Sequence, residues 1–215
     1  MVFVGEVITT NVHEGRDTYS SAMEEAISYN IWILSKFTPY IGSSCLEIGI
    51  GHGGFYELLP KCNYTGADID PLLVEQARSK NPDGNYVVVD ITDNDFYNKL
   101  SNKSFDSVVC INVLEHIEDH QKAIDNLLSV LNTGGYLLLF VPAFQSLFSE
   151  LDTLAGHYRR YNLNSLKTLI LSASLDRKVK FIRLEYFNPI GGIGWWINKF
   201  YPHKSLQSRN LENQI

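Results

Sequence analysis

The sequence predicts an α/β domain in which a doubly wound, mostly parallel sheet carries helices on both faces. Three observations predict it. Short, almost wholly apolar runs alternate with longer amphipathic segments, the pattern of strands buried on both faces. The helical segments open on capping residues, and a glycine-rich turn closes the first apolar run. Taken in order, residues 18–38 place Met23, Ile27, Ile31, Leu34 and Phe37 at helical spacing, an amphipathic helix that stops near Pro39. Six strands are visible, at 44–48, 64–68, 86–89, 105–111, 136–142 and 179–186. Helices are expected at about 53–60, 71–80, 119–131 and 163–173. Asp70-Pro71 sets an N-cap acid before a proline at the first helical position, where a missing N–H costs nothing. Asp119 and Asn162 can cap the next two helices. Asn132-Thr133-Gly134-Gly135 supplies a left-handed residue to end a helix and turn the chain into a strand. There is no internal repeat, so the chain reads as a single domain in three stretches. Residues 1–38 are an N-terminal segment and helix, 39–187 the core, and 188–215 an apolar Gly/Trp segment with a polar tail.

Composition narrows the class of function. The 215 residues are 45% hydrophobic, which excludes a disordered chain and allows a sizeable core. Eighteen basic against 24 acidic residues give a net charge of −6, and no basic run is present, so nucleic acid is not the expected partner. Three cysteines, Cys45, Cys62 and Cys110, have no metal-finger or disulfide spacing and suit a reducing compartment. The longest apolar stretch, Tyr136 to Phe144, is nine residues, half a membrane span. The N-terminus has neither the basic start nor the long apolar run of a secretory signal. A cytoplasmic protein without a transmembrane segment is expected.

The first strand runs into C-L-E-I-G-I-G-H-G-G at 45–54, where glycines let the backbone turn sharply and approach a ligand. Gly49, Gly51 and Gly54 satisfy the dinucleotide fingerprint literally. Glu47, just before them, argues for a different ligand. A carboxylate at the end of a buried strand is costly without a partner, and it repels a pyrophosphate. A ligand bearing an ammonium or sulfonium group welcomes it. Asp68 ends the second strand, 21 residues on, where α/β nucleotide binders hold a ribose. Asp90 and Asn112 end the third and fourth. Single acids after strands are ordinarily turn or cap residues, and Asp70 is one such. Four polar residues at successive strand ends beside a glycine loop are a ligand edge.

In chain order, L-E-I-G-I-G-H-G, G-A-D-I-D-P and V-V-V-D-I resemble three motifs of the class I S-adenosylmethionine-dependent methyltransferases. F-D-S-V-V-C-I-N-V-L-E-H-I, followed by L-L-S-V-L-N-T-G-G-Y-L-L-L-F-V-P, is similar to that family's fourth and fifth strands, and the likeness covers about residues 18–186. The resemblance implies a Rossmann-like methyltransferase fold and bound S-adenosyl-L-methionine. Glu47 would face the methionine ammonium, with Gly49, Gly51 and Gly53 leaving room for it. Asp68 would hold the ribose, Ile69 would pack on the adenine, and Asp90 would meet the adenine amino group with Ile91 alongside. Asn112 would reach the methionine part. Tyr19 and Tyr29, from the N-terminal helix, would lie across the cofactor. The family adds a seventh, antiparallel strand that is not identifiable here. The chain is a fragment, or residues 188–200 replace that strand, or one edge is open.

A methyl on a sulfonium is already activated, so the protein mainly aligns the acceptor and excludes water. A hydroxyl acceptor also wants a base, for which histidine is the usual choice. His52 lies in the glycine loop, His120 on an exposed first helical turn, and His13 and His203 in polar ends, which leaves His116 and His157. Glu115-His116 follows the fourth strand. A similar segment in the quinone O-methyltransferases, E-x-x-E-H, holds a divalent metal. Here Asn112 replaces its first acid, and with two ligands left no metal is expected. A structural pair bracing the loop fits equally. In G-H-Y-R-R-Y at 156–161, His157 could act as base, and Arg159, Arg160 and Tyr161 could contact substrate, the arginines clamping a carboxylate or phosphate. Solvated arginines are the plain alternative. Glu150 and Asp152 could neutralise those arginines or receive an amine. The segment 188–200 fits a cover over the acceptor pocket, a dimer contact, a membrane-surface contact or a packed loop. The expected function is methyl transfer to an oxygen or nitrogen of a small-molecule acceptor. The alternatives are an NAD(P)-dependent reductase, which would want a Tyr-x-x-x-Lys pair, and a non-catalytic binding module.

Overall fold

A computed structural model describes residues 2–5, 22–51, 55–101, 103–173 and 179–187. Among the described residues seven strands form one sheet: β1 (Val2–Gly5), β2 (Ser44–Ile48), β3 (Asn63–Asp68), β4 (Asn85–Val88), β5 (Phe105–Ile111), β6 (Leu131–Val141) and β7 (Leu184–Phe187). Their spatial order is β4-β3-β2-β5-β6-β1-β7, and every neighbouring pair is parallel. The helices are α1 (Ala22–Phe37), α2 (Pro71–Lys80), α3 (Phe96–Lys99), α4 (His120–Ser129), α5 (Glu150–Leu154) and α6 (Leu163–Ala173).

The two-residue period of the central strands builds two cores. In β5, Val108 and Cys110 join α4 and α6 through Ala123, Ile124, Leu127, Leu166 and Ile170. Val109 and Ile111 point the other way, to Ile33, Leu34 and Phe37 of α1. In β6 the same split separates Leu137 and Leu139 from Leu138 and Phe140. Burying each such side chain contributes about 1.5–3 kcal/mol, and it fixes both strands with the same face toward each helix layer. The expected caps form: Asp70 accepts from the Leu72 N–H at 2.8 Å, Asp119 from Lys122 at 3.0 Å and Asn162 from Ser165 at 2.8 Å.

Four expectations change, the first being the strand expected at 179–186, which forms only over Leu184–Phe187. The strand missing from the sequence reading is Val2–Gly5, which slots between β6 and β7 in parallel. Four residues are too few to show a strand period, so nothing marked them. The helix expected over 119–131 stops at Ser129, and Gly134 does not end it. Gly134 (φ +81°) instead shapes an irregular excursion within β6, where the pairing with β5 slips between Phe105 and Ser107. The helix expected at about 53–60 is, over its described residues 55–60, only a turn. Residues 52–54 and the segment 188–200 lie outside the described residues. Among the described residues no helix is long and apolar enough to cross a membrane.

Candidate active site

All four strand-end residues lie along the carboxyl edge of the sheet, and Glu47 is the most confined of them. It is 1% exposed; one carboxylate oxygen accepts from the Tyr64 hydroxyl at 2.8 Å, and the other, Oε1, has no partner. Burial pushes its carboxyl up to about 8 against the Tyr64 hydrogen bond, with Asp68 adding to the rise. Next to it, Gly49 sits at φ +75°, and a Cβ there would stand 2.2 Å from Val113 Cγ2. Glycine is therefore required where the β2 loop meets the loop after β5. Asn112, which closes β5, takes a left-handed turn at φ +52°, and its buried Oδ1 also lacks a partner.

Asp68 is aimed by its neighbours: Oδ2 accepts from the Gly51 N–H at 3.1 Å and Oδ1 from the Asp70 N–H at 3.0 Å. Ile69 follows with 65% of its surface open, an apolar side chain offered to a ligand face. Asp90 Oδ1 accepts from the Thr92 N–H and hydroxyl, both at 2.7 Å. Beyond it, Asn126 on α4 donates to the carbonyls of Ile91 and Asp93 at 2.7 and 2.8 Å, which pins this loop. Ile91 itself is turned inward, 5% exposed among Val89 and Phe96, so its side chain belongs to the core. Tyr29 is corrected likewise: its ring packs among Trp32, Phe140 and Phe187, where an aromatic cluster gains more by closing on the sheet. Tyr19 and Gly53 lie outside the described residues.

A second cluster forms past β6. Asp152, fully buried on α5, accepts from His157 Nδ1 at 2.8 Å and Arg160 Nε at 2.7 Å through one oxygen. Its other oxygen takes the Ser149 N–H and hydroxyl at 2.9 and 3.1 Å. Burial alone would raise this carboxyl, but the His157 and Arg160 donors hold it below the usual range. His157 Nδ1 therefore carries the proton, and its buried Nε2 has no partner. The His116 ring meets it edge-on, centroids 4.6 Å apart. Glu115 is fully buried with neither oxygen bonded; burial pushes it up to about 8, opposed by its own backbone N–H and by Arg160, with Asp152 adding to the rise.

The G-H-Y-R-R-Y segment is thus braced, not open, and the substrate roles expected there do not fit. Arg159 donates to the Ile117 and Glu118 carbonyls. Arg160 is 4% exposed and spent on Asp152. Tyr161 is 2% exposed, donates to the Leu114 carbonyl at 3.2 Å and meets His120 Nδ1 at 2.9 Å, so His120 is half-buried rather than exposed. Arg160 and Tyr161 are buried and satisfied internally, while half-buried Arg159 is held to two backbone carbonyls. A cavity of about 1170 Å³ lined by Tyr97, Gly135 and Phe181 lies at the opposite, amino-terminal end of β6, away from these groups.

A parallel sheet with helices on both faces, acids at successive strand ends and a tight glycine turn define a Rossmann-like methyltransferase fold. Residues 46–139 match the family described as methyltransferase domain, and the fold is shared with solved methyltransferases. The chain is 30% identical over 100 residues to trans-aconitate 2-methyltransferase of Escherichia coli, covering 45% of this chain and 38% of that one. It is 28% identical over 123 residues to tRNA (carboxymethyluridine(34)-5-O)-methyltransferase of Saccharomyces cerevisiae, covering 54% and 43%. The match spans less than half the length of the curated relatives. Among solved structures, N-methyltransferase NodS from Bradyrhizobium japonicum in complex with S-adenosylhomocysteine shares the fold at TM-score 0.55 and 24% identity, over 75% of this chain and 80% of that one.

The residues present at this edge fit S-adenosylmethionine, the cofactor that the fold family implies. Two buried acceptor atoms without donors, Glu47 Oε1 and Asn112 Oδ1, stand at the ends of adjacent strands, where an ammonium supplies the donors they lack. Tyr64, Val113 and Asn126 are not marked by the sequence, because each acts through a partner 17 to 64 positions away, whereas Asp152 neutralises Arg160 as expected.

Proposed function

We propose that this chain transfers a methyl group to an oxygen or nitrogen of a small-molecule acceptor. The observation that carries the cofactor half is Glu47, a buried carboxylate with one unpartnered oxygen beside a left-handed glycine. S-adenosylmethionine, when bound, supplies a methyl on a sulfonium, so the acceptor gains that carbon while the S–C electron pair stays on sulfur. Glu47 and Asn112 would hold the amino acid end, Asp68 the ribose, Ile69 the adenine face and Asp90 its amino edge. His157, with His116 beside it, would activate the acceptor, because Asp152 keeps the Nε2 lone pair available and fixed in direction. The net charge of −6 and the internal use of Arg159 and Arg160 support a small acceptor over a polyanion. The likeness to a tRNA methyltransferase makes tRNA the second reading.

Thermal denaturation tests the cofactor. S-adenosylhomocysteine is expected to raise the melting temperature and NAD to leave it unchanged, since only a ligand of the native state stabilises it. The reverse pattern would return the reductase reading. Incubation with S-adenosylmethionine and a panel of small carboxylates, phenols and amines, read by mass, tests the acceptor; methylation of tRNA alone would overturn the small-molecule assignment. Once an acceptor is in hand, His157→Ala is expected to lower kcat at least about tenfold, and unchanged turnover would remove His157 from the mechanism.

A further inference from the structure

Cys45, the second residue of β2, and Cys62, which leads into β3, are brought together by strand pairing. The two strands run in parallel, with Ser44 opposite Asn63 and Cys45 opposite Tyr64. Side chains two positions apart share a face, so Cys62, Tyr64, Cys45 and Glu47 all stand on one face of the sheet. Cys45 is fully buried in the core that Ile33, Leu34 and Phe37 of α1 help to form, and half-buried Cys62 packs on that same core. The two thiols are hydrogen-bond partners, with Cys45 the donor. That bond lowers the Cys62 thiol to about 7 against the effect of burial, and it raises Cys45, which burial raises further. A half-exposed thiol that ionises near neutrality, with a second thiol behind it, is the arrangement of a reactive cysteine and its resolving partner. Cys110 provides the contrast: it lies in the opposite core, where burial pushes its thiol up. The methyl transfer proposed above uses neither Cys45 nor Cys62. Glu47, Gly49 and Gly51 lie between them in the chain, so a bond joining the two sulfurs would close a ring that holds the cofactor edge.

We propose that Cys45 and Cys62 are a peroxide-sensitive dithiol that forms a reversible disulfide between β2 and the start of β3. The Cys62 thiolate attacks one oxygen of hydrogen peroxide. The O–O bond breaks, a sulfenic acid forms on Cys62, and the second oxygen leaves as water with the proton that the thiol gave up. The Cys45 sulfur then attacks the Cys62 sulfur, the S–O bond breaks, and the hydroxyl leaves with the Cys45 proton as a second water. Two thiols lose two electrons in all, and one peroxide is reduced to two waters. Cys62 lies in a bend just outside the strand ladder, whereas Cys45 is locked between β3 and β5, so Cys62 is the partner that moves. Drawing it toward β2 pulls on Tyr64, two residues on, whose hydroxyl holds the Glu47 carboxylate at 2.8 Å. The oxidised chain should therefore bind S-adenosylmethionine more weakly. That consequence rests on the cofactor reading above; the disulfide does not.

The test uses the full chain, reduced, treated with hydrogen peroxide and then read by alkylation and peptide mass. One intramolecular Cys45–Cys62 link is expected, reversed by dithiothreitol, with Cys110 still a thiol. Before oxidation, iodoacetamide at neutral pH should label Cys62 at least about tenfold faster than Cys110. Cys62→Ser should give no link. Cys45→Ala should let peroxide carry Cys62 on to the sulfinic acid, which dithiothreitol does not reverse, because no thiol is left to resolve the sulfenic acid. Melting curves show which variants are folded, and Cys62→Ser, at the half-buried position, carries the test if the Cys45→Ala chain is not. A link through Cys110, sulfinic acid on Cys62 of the unaltered chain without a link, or thiols that all resist peroxide would overturn the proposal. S-adenosylhomocysteine affinity should fall at least about fivefold on oxidation and recover on reduction, the lower end of couplings between linked sites. Equal affinity in the two forms would overturn the coupling to the cofactor edge. A reversible link in a chain that never responds to S-adenosylhomocysteine would leave the dithiol standing and remove the cofactor reading.

Discussion

Glu47→Gln is expected to make the ligand-free protein more stable above about pH 8 and to weaken S-adenosylhomocysteine binding at least tenfold. Both effects follow from one buried carboxyl. Its proton is held up to about 8 in the folded chain, well above the ordinary value of 4.5. The folded state therefore binds this proton more tightly than the unfolded state. The resulting stability is complete below the ordinary value and is lost as pH rises through about 8, at up to about 1.4 kcal/mol per pH unit between the two. Glutamine keeps an acceptor for the Tyr64 hydroxyl but does not titrate, so that part of the slope disappears. An ammonium ligand reverses the balance by favouring the carboxylate. Binding should then release a proton and tighten as pH rises toward 8 in the unaltered chain but not in the variant. Melting curves and calorimetric titrations across this range measure both terms. Equal ligand affinity in the two proteins would show that Glu47 does not face the cofactor.

Asp152→Ala is expected to cost about 3–5 kcal/mol in denaturant unfolding, a large part of a typical domain's stability. The carboxylate is fully buried and takes four donors: the His157 ring, the Arg160 side chain, and the Ser149 amide and hydroxyl. Alanine leaves the Arg160 charge 4% exposed with its main anion gone, and it frees the loop that carries His157. Asp152→Asn keeps the shape and one acceptor, so it should cost clearly less and remain folded at ambient temperature. A loss under about 1 kcal/mol for alanine would mean that water or a shifted side chain replaces the pair.

The glycine loop and its acids were legible because local chemistry betrays them. Glu47 in an apolar run is anomalous without any knowledge of its neighbours, and Gly49 is needed for a turn its own backbone makes. The central strands and the capped helices show their period within a few residues. Val2–Gly5 was illegible, since its place depends on pairing with β6 and β7, 137 and 182 positions away. Arg159, Arg160 and Tyr161 misled for the opposite reason. Adjacent charges and a phenol suggest a surface clamp, but each finds a carbonyl, carboxylate or imidazole only once the loop folds against the turn after β5.

By itself the sequence determined the parallel sheet and the polar residues that stand along its carboxyl edge. Hydrophobic period, capping and the cost of a buried acid are properties of neighbouring residues. Only the tertiary structure decided what surrounds the acceptor side. It turned three expected substrate contacts into braces, and it brought His157 beside Glu115 and His116 across some 40 residues. Burial settles such roles, because a polar group removed from water must take its partners from whatever the fold brings within reach.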